Sequence, residues 1–319
     1  MLKMPHGSSM TPKDASVLLG ELGRALPPAC LLELQSNDFT CRKPGAEEQR
    51  EILLRVLKLV DESDVRSVSE DWEGHGSGST LSRRIKTWNR CYESIEKPGA
   101  IPPFLIPLPG TPVRLCGEYQ VPTSTHFEAS FLAVIRAYLF DRFLAPCSTV
   151  YEFGCGTGHN LLALAKQQPG KRLVGLDWSE SSVKLINQLA STFGVNAHGQ
   201  RFDFFSPNKK LVLDDNAGVL TVGALEQVGK HFASFLVFLL AKKPTVCVHL
   251  EPIVEQYDPD ELFDYVAARY HRKRGYLDGF LPALQAFEKR GSLEILAVHR
   301  IPFGSLCHEA YTYIVWKPR

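Results

Sequence analysis

The sequence has almost no net charge, no long hydrophobic run and no paired cysteine motif. Its 36 basic side chains balance 35 acidic ones, for a net charge of +1. Proteins that bind nucleic acid or membrane surfaces usually carry a basic excess, so we expect neither as the main partner. The longest apolar runs, such as residues 232–241, are about half the length that a bilayer-spanning helix requires.

The eight cysteines include no CxxC pair and no Cys/His group at zinc spacing. We therefore expect no metal site. The first residues lack the charged and then apolar pattern of a secretory leader, which predicts a cytoplasmic protein with reduced thiols. Cys247 lies within an apolar run and is expected to be a small core residue.

The N-terminal part of the chain has mainly helical patterns. Residues 47–62 and 125–143 each place apolar side chains at helical spacing. Between them we predict a flexible Gly/Ser-rich loop at 73–80 and a Pro-rich, extended connector at 98–112. We interpret residues 1–145 as a mainly helical region that caps the active site and shapes its pocket.

Residues 146–319 alternate between strand and helix patterns, which is typical of a parallel α/β sheet. The predicted strands are 149–153, 172–176, 198–202, 217–222, 245–250, 292–301 and 311–318. The predicted helices are 159–168, 179–193, 231–242, 258–273 and 280–291. The predicted fold class is therefore α/β: a seven-strand, mostly parallel sheet flanked by helices, with a C-terminal antiparallel strand pair.

A glycine-rich turn follows the first of these strands, in the stretch YEFGCGTGH. Its glycines are Gly154, Gly156 and Gly158. A dinucleotide-binding GxGxxG pattern requires a third glycine at the position of His159. The spacing is GxGxG instead, and the acidic Glu152 stands two residues before the first glycine.

This ExGxGxG arrangement resembles motif I of the class I S-adenosylmethionine-dependent methyltransferases. The resemblance implies that the backbone passes beside S-adenosylmethionine and that Glu152 accepts hydrogen bonds near its amino-acid part. Asp177, 23 residues after the first glycine, is expected to bind the ribose hydroxyls, and Trp178 to lie against the adenine. Asp203 and Phe204 match the family's position that reads the adenine amino group.

Four residues are candidates for the transfer chemistry, because open α/β sheets bind ligands beyond the carboxyl ends of their strands. Glu226 follows the fourth strand, Glu251 follows the fifth, His271 lies near the end of the next helix, and Tyr119 precedes the domain. A hydroxyl or ammonium acceptor needs alignment and a base. Structural alternatives stay open: a capping or solvated His271, an arginine partner for Glu251, and a helix-capping Glu226.

The sequence therefore predicts methyl transfer from S-adenosylmethionine to a small molecule such as a sugar, an amino acid or a natural-product intermediate. The loop after the fourth strand lacks the (D/N)PP(F/Y) tetrapeptide of base- and glutamine-amino methyltransferases. Two alternatives remain: an aminopropyltransferase-like enzyme on the same fold, and a non-catalytic cofactor-binding regulatory or scaffold subunit. A homodimer is one option for the oligomeric state.

Overall fold

A computed structural model describes residues 9–21, 23–62 and 110–319 of the chain. The predicted loop at 73–80 and most of the connector at 98–112 lie outside these residues. The described helices are α1 (Pro12–Leu18), α2 (Pro28–Ser36), α3 (Ala46–Glu62), α4 (Phe127–Leu139), α5 (His159–Gln167), α6 (Glu180–Phe193), α7 (Ala233–Lys242), α8 (Leu262–Lys273) and α9 (Phe280–Lys289). The described strands are β1 (Cys41–Arg42), β2 (Val113–Leu115), β3 (Glu118–Pro122), β4 (Thr149–Phe153), β5 (Arg172–Asp177), β6 (Ala197–Arg201), β7 (Ala217–Val222), β8 (Val246–Glu251), β9 (Leu293–Arg300), β10 (Phe303–Gly304) and β11 (Thr312–Pro318).

Seven of the described strands form the large sheet, in the order β6-β5-β4-β7-β8-β11-β9. The five strands from β6 to β8 run parallel, and β11 is antiparallel to both β8 and β9. The predicted fold class, including the C-terminal antiparallel pair, is confirmed.

Both faces of this sheet are buried, because alternate residues of its strands enter two separate cores. In β4, Val150 belongs to the core that also holds α4, whereas Tyr151 and Phe153 belong to the core that holds α7 and α9. Every residue of β4 and β8 is buried, as expected for strands covered by helices on both sides. Cys247 is a fully buried core residue, as predicted.

A second sheet occurs where the sequence predicts a mainly helical region. It is antiparallel, with the order β1-β3-β2-β10. Three of its strands precede residue 146, but β10 comes from the connection between β9 and β11, where Phe303 pairs with Leu115. These strands are only two to five residues long, which is too short for a clear period-two pattern. The division at residue 146 stays a prediction.

Helix α8 connects the N-terminal region to the large sheet. Val56 of α3 and Val266 of α8 share a small core with Tyr119 of β3, and Lys273 Nζ donates to the Asp61 carbonyl at 3.1 Å.

Among the residues that the structure describes, no helix combines the length and apolar character needed to cross a membrane.

The backbone of the following loop lies very close to Gly304 of β10, and this generates a stability prediction. A Cβ at Gly304 would lie 2.3 Å from the His308 carbonyl oxygen and 2.5 Å from Glu309 Cα. Both are backbone atoms that cannot rotate away, so Gly304→Ala should lower the free energy of unfolding by about 2–3 kcal/mol. Urea denaturation measures this loss.

Gly45→Ala is the matched control, because nothing lies within 4 Å of a Cβ at that position. Its unfolding curve should stay close to that of the wild type. Equal losses in the two variants would show that the close approach at Gly304 does not matter.

Candidate functional site

The glycine turn between β4 and α5 requires glycine for conformation and for space. Gly154, Gly156 and Gly158 have positive φ angles of 74°, 51° and 77°, which side chains other than glycine's rarely adopt. A Cβ at Gly154 would lie 2.4 Å from Ala224 Cβ, and one at Gly158 would lie 2.4 Å from Ile186 Cδ1. The turn is therefore in direct contact with the loop after β7 and with α6.

Asp177, at the end of β5, holds this turn to the neighbouring strand. Its Oδ2 accepts a hydrogen bond from the Gly156 amide at 2.9 Å, and its Oδ1 accepts one from the Ser179 amide at 2.9 Å. Ser182 Oγ also donates to the Gly156 carbonyl. Burial raises the pKa of Asp177, and the two amide hydrogen bonds oppose that shift. The carboxylate thus orients the turn and is positioned at the carboxyl edge of the sheet.

Glu152 is a buried acid with one oxygen that lacks a partner. It is 1% exposed. Its Oε1 accepts a hydrogen bond from Asn160 Nδ2 at 2.6 Å, whereas Oε2 has no hydrogen-bond partner. Burial raises the pKa of Glu152 to about 8, although Asn160 and the nearby Arg136 oppose this shift. The side chain is therefore mostly protonated at neutral pH, and a cationic ligand group would favour its ionised form.

The residues predicted to surround the adenine lie near the turn. Trp178 is half-buried directly after Asp177. Asp203 Oδ1 accepts from the Phe205 amide at 2.8 Å. Phe204 is buried against Phe235 at 4.8 Å between ring centroids, and its ring lies 3.5 Å from where a Cβ at position 154 would be. Contact of Trp178, Asp203 and Phe204 with adenine stays a prediction.

Glu251, at the end of β8, holds the loop after β7 by its backbone. Its Oε1 accepts from the amides of Ala224 and Leu225 at 3.0 and 3.1 Å, and its Oε2 accepts from the Glu226 amide at 3.0 Å. The side chain is fully buried, and burial raises its pKa to about 7. The structure thus links Glu251 to amides, where the sequence left an arginine partner open.

Glu226 lies in the short 3₁₀ turn Leu225–Gln227 that Glu251 positions. The side chain is half-buried, and Gln227 Nε2 donates to its Oε1. Burial raises the pKa of Tyr270, and the negative charge of Glu226 adds a smaller contribution in the same direction. Glu226 therefore lies near the end of α8, at the carboxyl edge of the sheet.

The two histidines of this region are neutral and buried. His271 is fully buried, and its Nε2 lies 2.5 Å from the Leu277 carbonyl oxygen. Nε2 therefore carries the proton, which leaves Nδ1 as an acceptor without a partner. Burial lowers the pKa of His271 to about 4, so this residue is not solvated. His249 packs in the core, with Nδ1 at 2.9 Å from Thr221 Oγ1.

Sequence reasoning missed two buried residues beside these candidates, Arg114 of β2 and His308 of the loop before β11. Arg114 is fully buried. Its Nη2 donates to the Phe263 carbonyl at 2.8 Å. Its guanidinium also lies over the side-chain ring of Phe263, 3.4 Å from the ring centroid. His308 is 8% exposed. The sequence offered no signal for either, since an arginine in the strand VRL and a histidine in a loop are usually solvated.

These residues form a polar cluster, which we call the Arg114–His308 cluster. Its members are buried or half-buried polar side chains from β2, β3, α8 and the loops that follow α8 and β10: Arg114, Tyr119, Tyr270, His271, Tyr276 and His308. The His308 ring lies 5.3 Å from the Tyr270 ring and 5.7 Å from the Tyr276 ring. The cluster thus combines predicted and unpredicted residues in one place.

Arg300 fastens the loop of His308 to α8. It binds Asp264 through two nitrogens at 2.6 Å each and donates from Nε to Glu309 Oε2 at 2.6 Å. Because Thr312 pairs with Glu251 at the end of β8, this loop reaches the carboxyl edge of the parallel strands. The cluster is therefore on the same edge as the glycine turn.

Known proteins share the part of the chain that carries the glycine turn. Residues 150–228 match the family model described as "Methyltransferase domain". These residues therefore carry a methyltransferase domain that resembles the class I S-adenosylmethionine-dependent methyltransferases. This match confirms the predicted family and S-adenosylmethionine as the cofactor of its methyltransferase domain.

Two curated relatives match segments of this chain. A carboxy-S-adenosyl-L-methionine synthase from Nitratiruptor sp. is 40% identical over 88 residues, which are 27% of this chain and 36% of the relative. The protein-lysine N-methyltransferase EFM4 from Saccharomyces cerevisiae is 38% identical over 65 residues, 20% of this chain and 28% of the relative. The chain thus spans about a third of the length of these relatives.

Solved methyltransferase structures resemble the chain at low sequence identity. Human N-acetylserotonin methyltransferase in complex with S-adenosylmethionine has a TM-score of 0.47 at 11% identity, covering 86% of this chain and 67% of that one. The mitomycin 7-O-methyltransferase MmcR has a TM-score of 0.46 at 11% identity, covering 84% and 67%.

Loss of the Asp177 carboxylate should weaken cofactor binding. If Asp177 binds the ribose as expected, Asp177→Ala would remove two charge-assisted hydrogen bonds, which amounts to about 2–4 kcal/mol, or roughly 30- to 1000-fold in affinity. Calorimetry with S-adenosylhomocysteine measures the change. Asp214→Ala is the control, because Asp214 binds Thr149 and Arg172 at the opposite edge of the sheet. Affinities of the folded Asp177 variant within threefold of wild type would contradict the assignment.

Glu152 should make cofactor affinity depend on pH. Burial raises its pKa to about 8, so binding an α-ammonium group below that pH expels a proton. Affinity for S-adenosylhomocysteine should therefore rise by about tenfold between pH 6 and pH 7, where the ligand's own ammonium stays charged. Calorimetry in buffers of different ionisation enthalpy counts the released proton.

Glu152→Gln is the matched variant, since it keeps the size of the side chain and removes its titration. Its affinity should change less than about twofold over the same pH range. An equal pH dependence in both proteins would assign the titration to another group.

Proposed function

We propose that the chain transfers the methyl group of S-adenosylmethionine to a small-molecule acceptor. The observation that carries this proposal is the direct contact between the glycine turn and the loop of Glu226. A Cβ at Gly154 would lie 2.4 Å from Ala224 Cβ, two residues before Glu226. A ligand in the turn and a side chain in that loop therefore share one edge of the sheet.

The cofactor supplies an electrophilic methyl group, and the remaining chemistry falls to this chain. Asp177 and the glycine turn hold the adenosine part, and Glu152 faces the amino-acid part. Glu226 orients the acceptor and removes its proton, from a hydroxyl as the oxygen attacks the methyl group or from an ammonium before the nitrogen attacks. Glu251 serves as a positioning residue, because both of its oxygens accept backbone amides of the Glu226 loop.

A small acceptor fits the burial of this region. Tyr119, Arg114, His271 and His308 are all less than 9% exposed, so a folded protein surface or a nucleic-acid duplex would not reach them. Glu152 does not separate methyl transfer from the aminopropyl alternative, because decarboxylation of the cofactor removes its carboxylate and leaves the ammonium that a buried acid would bind.

One experiment separates the enzyme from the cofactor-binding subunit. The protein is incubated with S-adenosylmethionine carrying a labelled methyl group and with a metabolite extract. Label in a new small molecule supports the proposal, whereas binding without transfer supports the regulatory subunit. The melting temperature should rise with S-adenosylmethionine or S-adenosylhomocysteine and not with NAD, since only a ligand of the native state stabilises it.

The two glutamates of the transfer region should respond differently to substitution. Glu226→Gln removes charge and basicity, so turnover should fall by roughly 100- to 10,000-fold, with melting temperature and cofactor affinity nearly unchanged. Glu251→Gln weakens the acceptors of three buried amides and should lower the melting temperature instead. Steady-state kinetics and thermal denaturation of both variants provide the check.

If folded Glu226→Gln turned over within about threefold of wild type, Glu226 would not be the base. The base would then be sought at His271 or Tyr119, or the acceptor would need none.

A further inference from the structure

We propose that the Arg114–His308 cluster binds the carboxylate of a flat, aromatic acceptor. This inference rests on the proposed function, since it names the class of acceptor that the transfer site takes. The carboxylate lies at Arg114 and His308, and the acceptor's ring lies against the tyrosines of the cluster.

The first support is a concentration of buried polar atoms that have no hydrogen-bond partner. Six such atoms occur on four side chains: Nε and Nη1 of Arg114, the hydroxyl of Tyr119, Nδ1 of His271, and both ring nitrogens of His308. Native proteins leave only a few buried polar groups unpaired per 100 residues, and each one destabilises the fold. Six in one cluster indicate that a polar ligand supplies the missing partners.

The charges of the cluster favour an anionic ligand. Arg114 is fully buried, and its nearest carboxylate, on Asp264, is 3.9 Å away. Arg300 already binds that carboxylate at 2.6 Å through two nitrogens. Burial lowers the pKa of His308 to about 3, and the positive charges of His271, Arg114 and Arg274 add to this shift. Arg114 therefore shares its close carboxylate with Arg300, and an anion would complete its hydrogen bonding.

The hydrogen-bond donors of the cluster match the acceptors of a carboxylate. Arg114 presents N–H groups on two nitrogens, and the neutral His308 and Tyr119 each add one donor. A carboxylate accepts up to about four hydrogen bonds on its two oxygens. Hydrogen bonds from an arginine to a carboxylate are about twice as strong as neutral ones.

The walls of the cluster favour a flat ring behind that carboxylate. Tyr270 and Tyr276 lie within 5.7 Å of the His308 ring, and Tyr119 lies edge-on to Phe263 at 5.0 Å. Aromatic side chains in this arrangement contact the edges and faces of a planar ligand. Glu226 acts electrostatically on Tyr270, so it lies on the side of the cluster where the acceptor's nucleophile would be.

The first test needs no ligand and compares two buried tyrosines. Tyr119→Phe removes a hydroxyl without a partner, so the melting temperature of the free protein should stay equal or rise. Tyr257→Phe removes a hydroxyl that donates to the Glu309 carbonyl at 2.8 Å and accepts from its amide at 3.1 Å. This control should lower the melting temperature by about 2–6 °C. An equal loss in both variants would give Tyr119 a structural role and overturn the proposal.

The second test measures binding to the protein loaded with S-adenosylhomocysteine. Calorimetry compares 4-hydroxybenzoate with its neutral analogue 4-hydroxybenzamide. The acid should bind at least about tenfold more tightly, and this preference should disappear in Arg114→Met and shrink in His308→Asn. Arg172→Met is the control, because Arg172 pairs with the half-exposed Asp214, and it should keep the preference.

The outcomes separate this inference from the proposed function. Cofactor binding and label transfer without a preference for the acid would overturn the carboxylate site and leave methyl transfer standing. If the wild-type protein neither binds the cofactor nor transfers label, both the carboxylate site and the proposed function are overturned. If Arg114→Met fails to fold, His308→Asn and Tyr119→Phe decide the result, since a preference unchanged in both contradicts the proposal.

Discussion

The arrangement of the site depends on one buried carboxylate, that of Glu251. It lies fully buried at the end of β8, and it accepts hydrogen bonds from three consecutive backbone amides of the loop after β7. That loop contacts the glycine turn through Ala224 and carries Glu226. One side chain thus sets the relation between the cofactor turn and the proposed base.

Three carboxyl side chains of the site lie in buried positions, where burial opposes their ionisation. The pKa values of Glu152, Asp177 and Glu251 are all raised, and burial is the largest cause in each. Backbone amides stabilise Asp177 and Glu251, whereas one oxygen of Glu152 has no partner. Such costs are typical of functional sites, where a ligand rather than the fold provides the compensating charge.

The acceptor side is assembled from distant parts of the chain. Arg114 and Tyr119 come from the small sheet, Tyr270 and His271 from α8, and His308 from the loop before β11. Strand β10 joins these parts, because it belongs to the C-terminal half of the chain but pairs with β2. The N-terminal region is therefore an integral part of the proposed pocket, and its small sheet does more than cover the site.

The sequence by itself determined the large sheet and the cofactor motif. The alternation of apolar strands and amphipathic helices depends on local periods, and the predicted bounds of β4 and β7 are those observed. The turn requires a backbone conformation that glycine adopts most readily. The spacing of Gly154, Gly156 and Gly158 was therefore visible in the sequence. Asp177 was visible in the sequence as the acidic end of a strand that follows the turn, and its contact with the ribose stays a prediction.

Only the tertiary structure decided the small sheet and the Arg114–His308 cluster. Short strands carry too few residues for a period, and β10 pairs with a segment about 190 residues away. Whether Arg114 or His308 is solvated depends on which distant side chains cover it, and no local pattern records that. His271 was found as a candidate, but its burial and its neutral form come from α8 packing against segments far away in the chain.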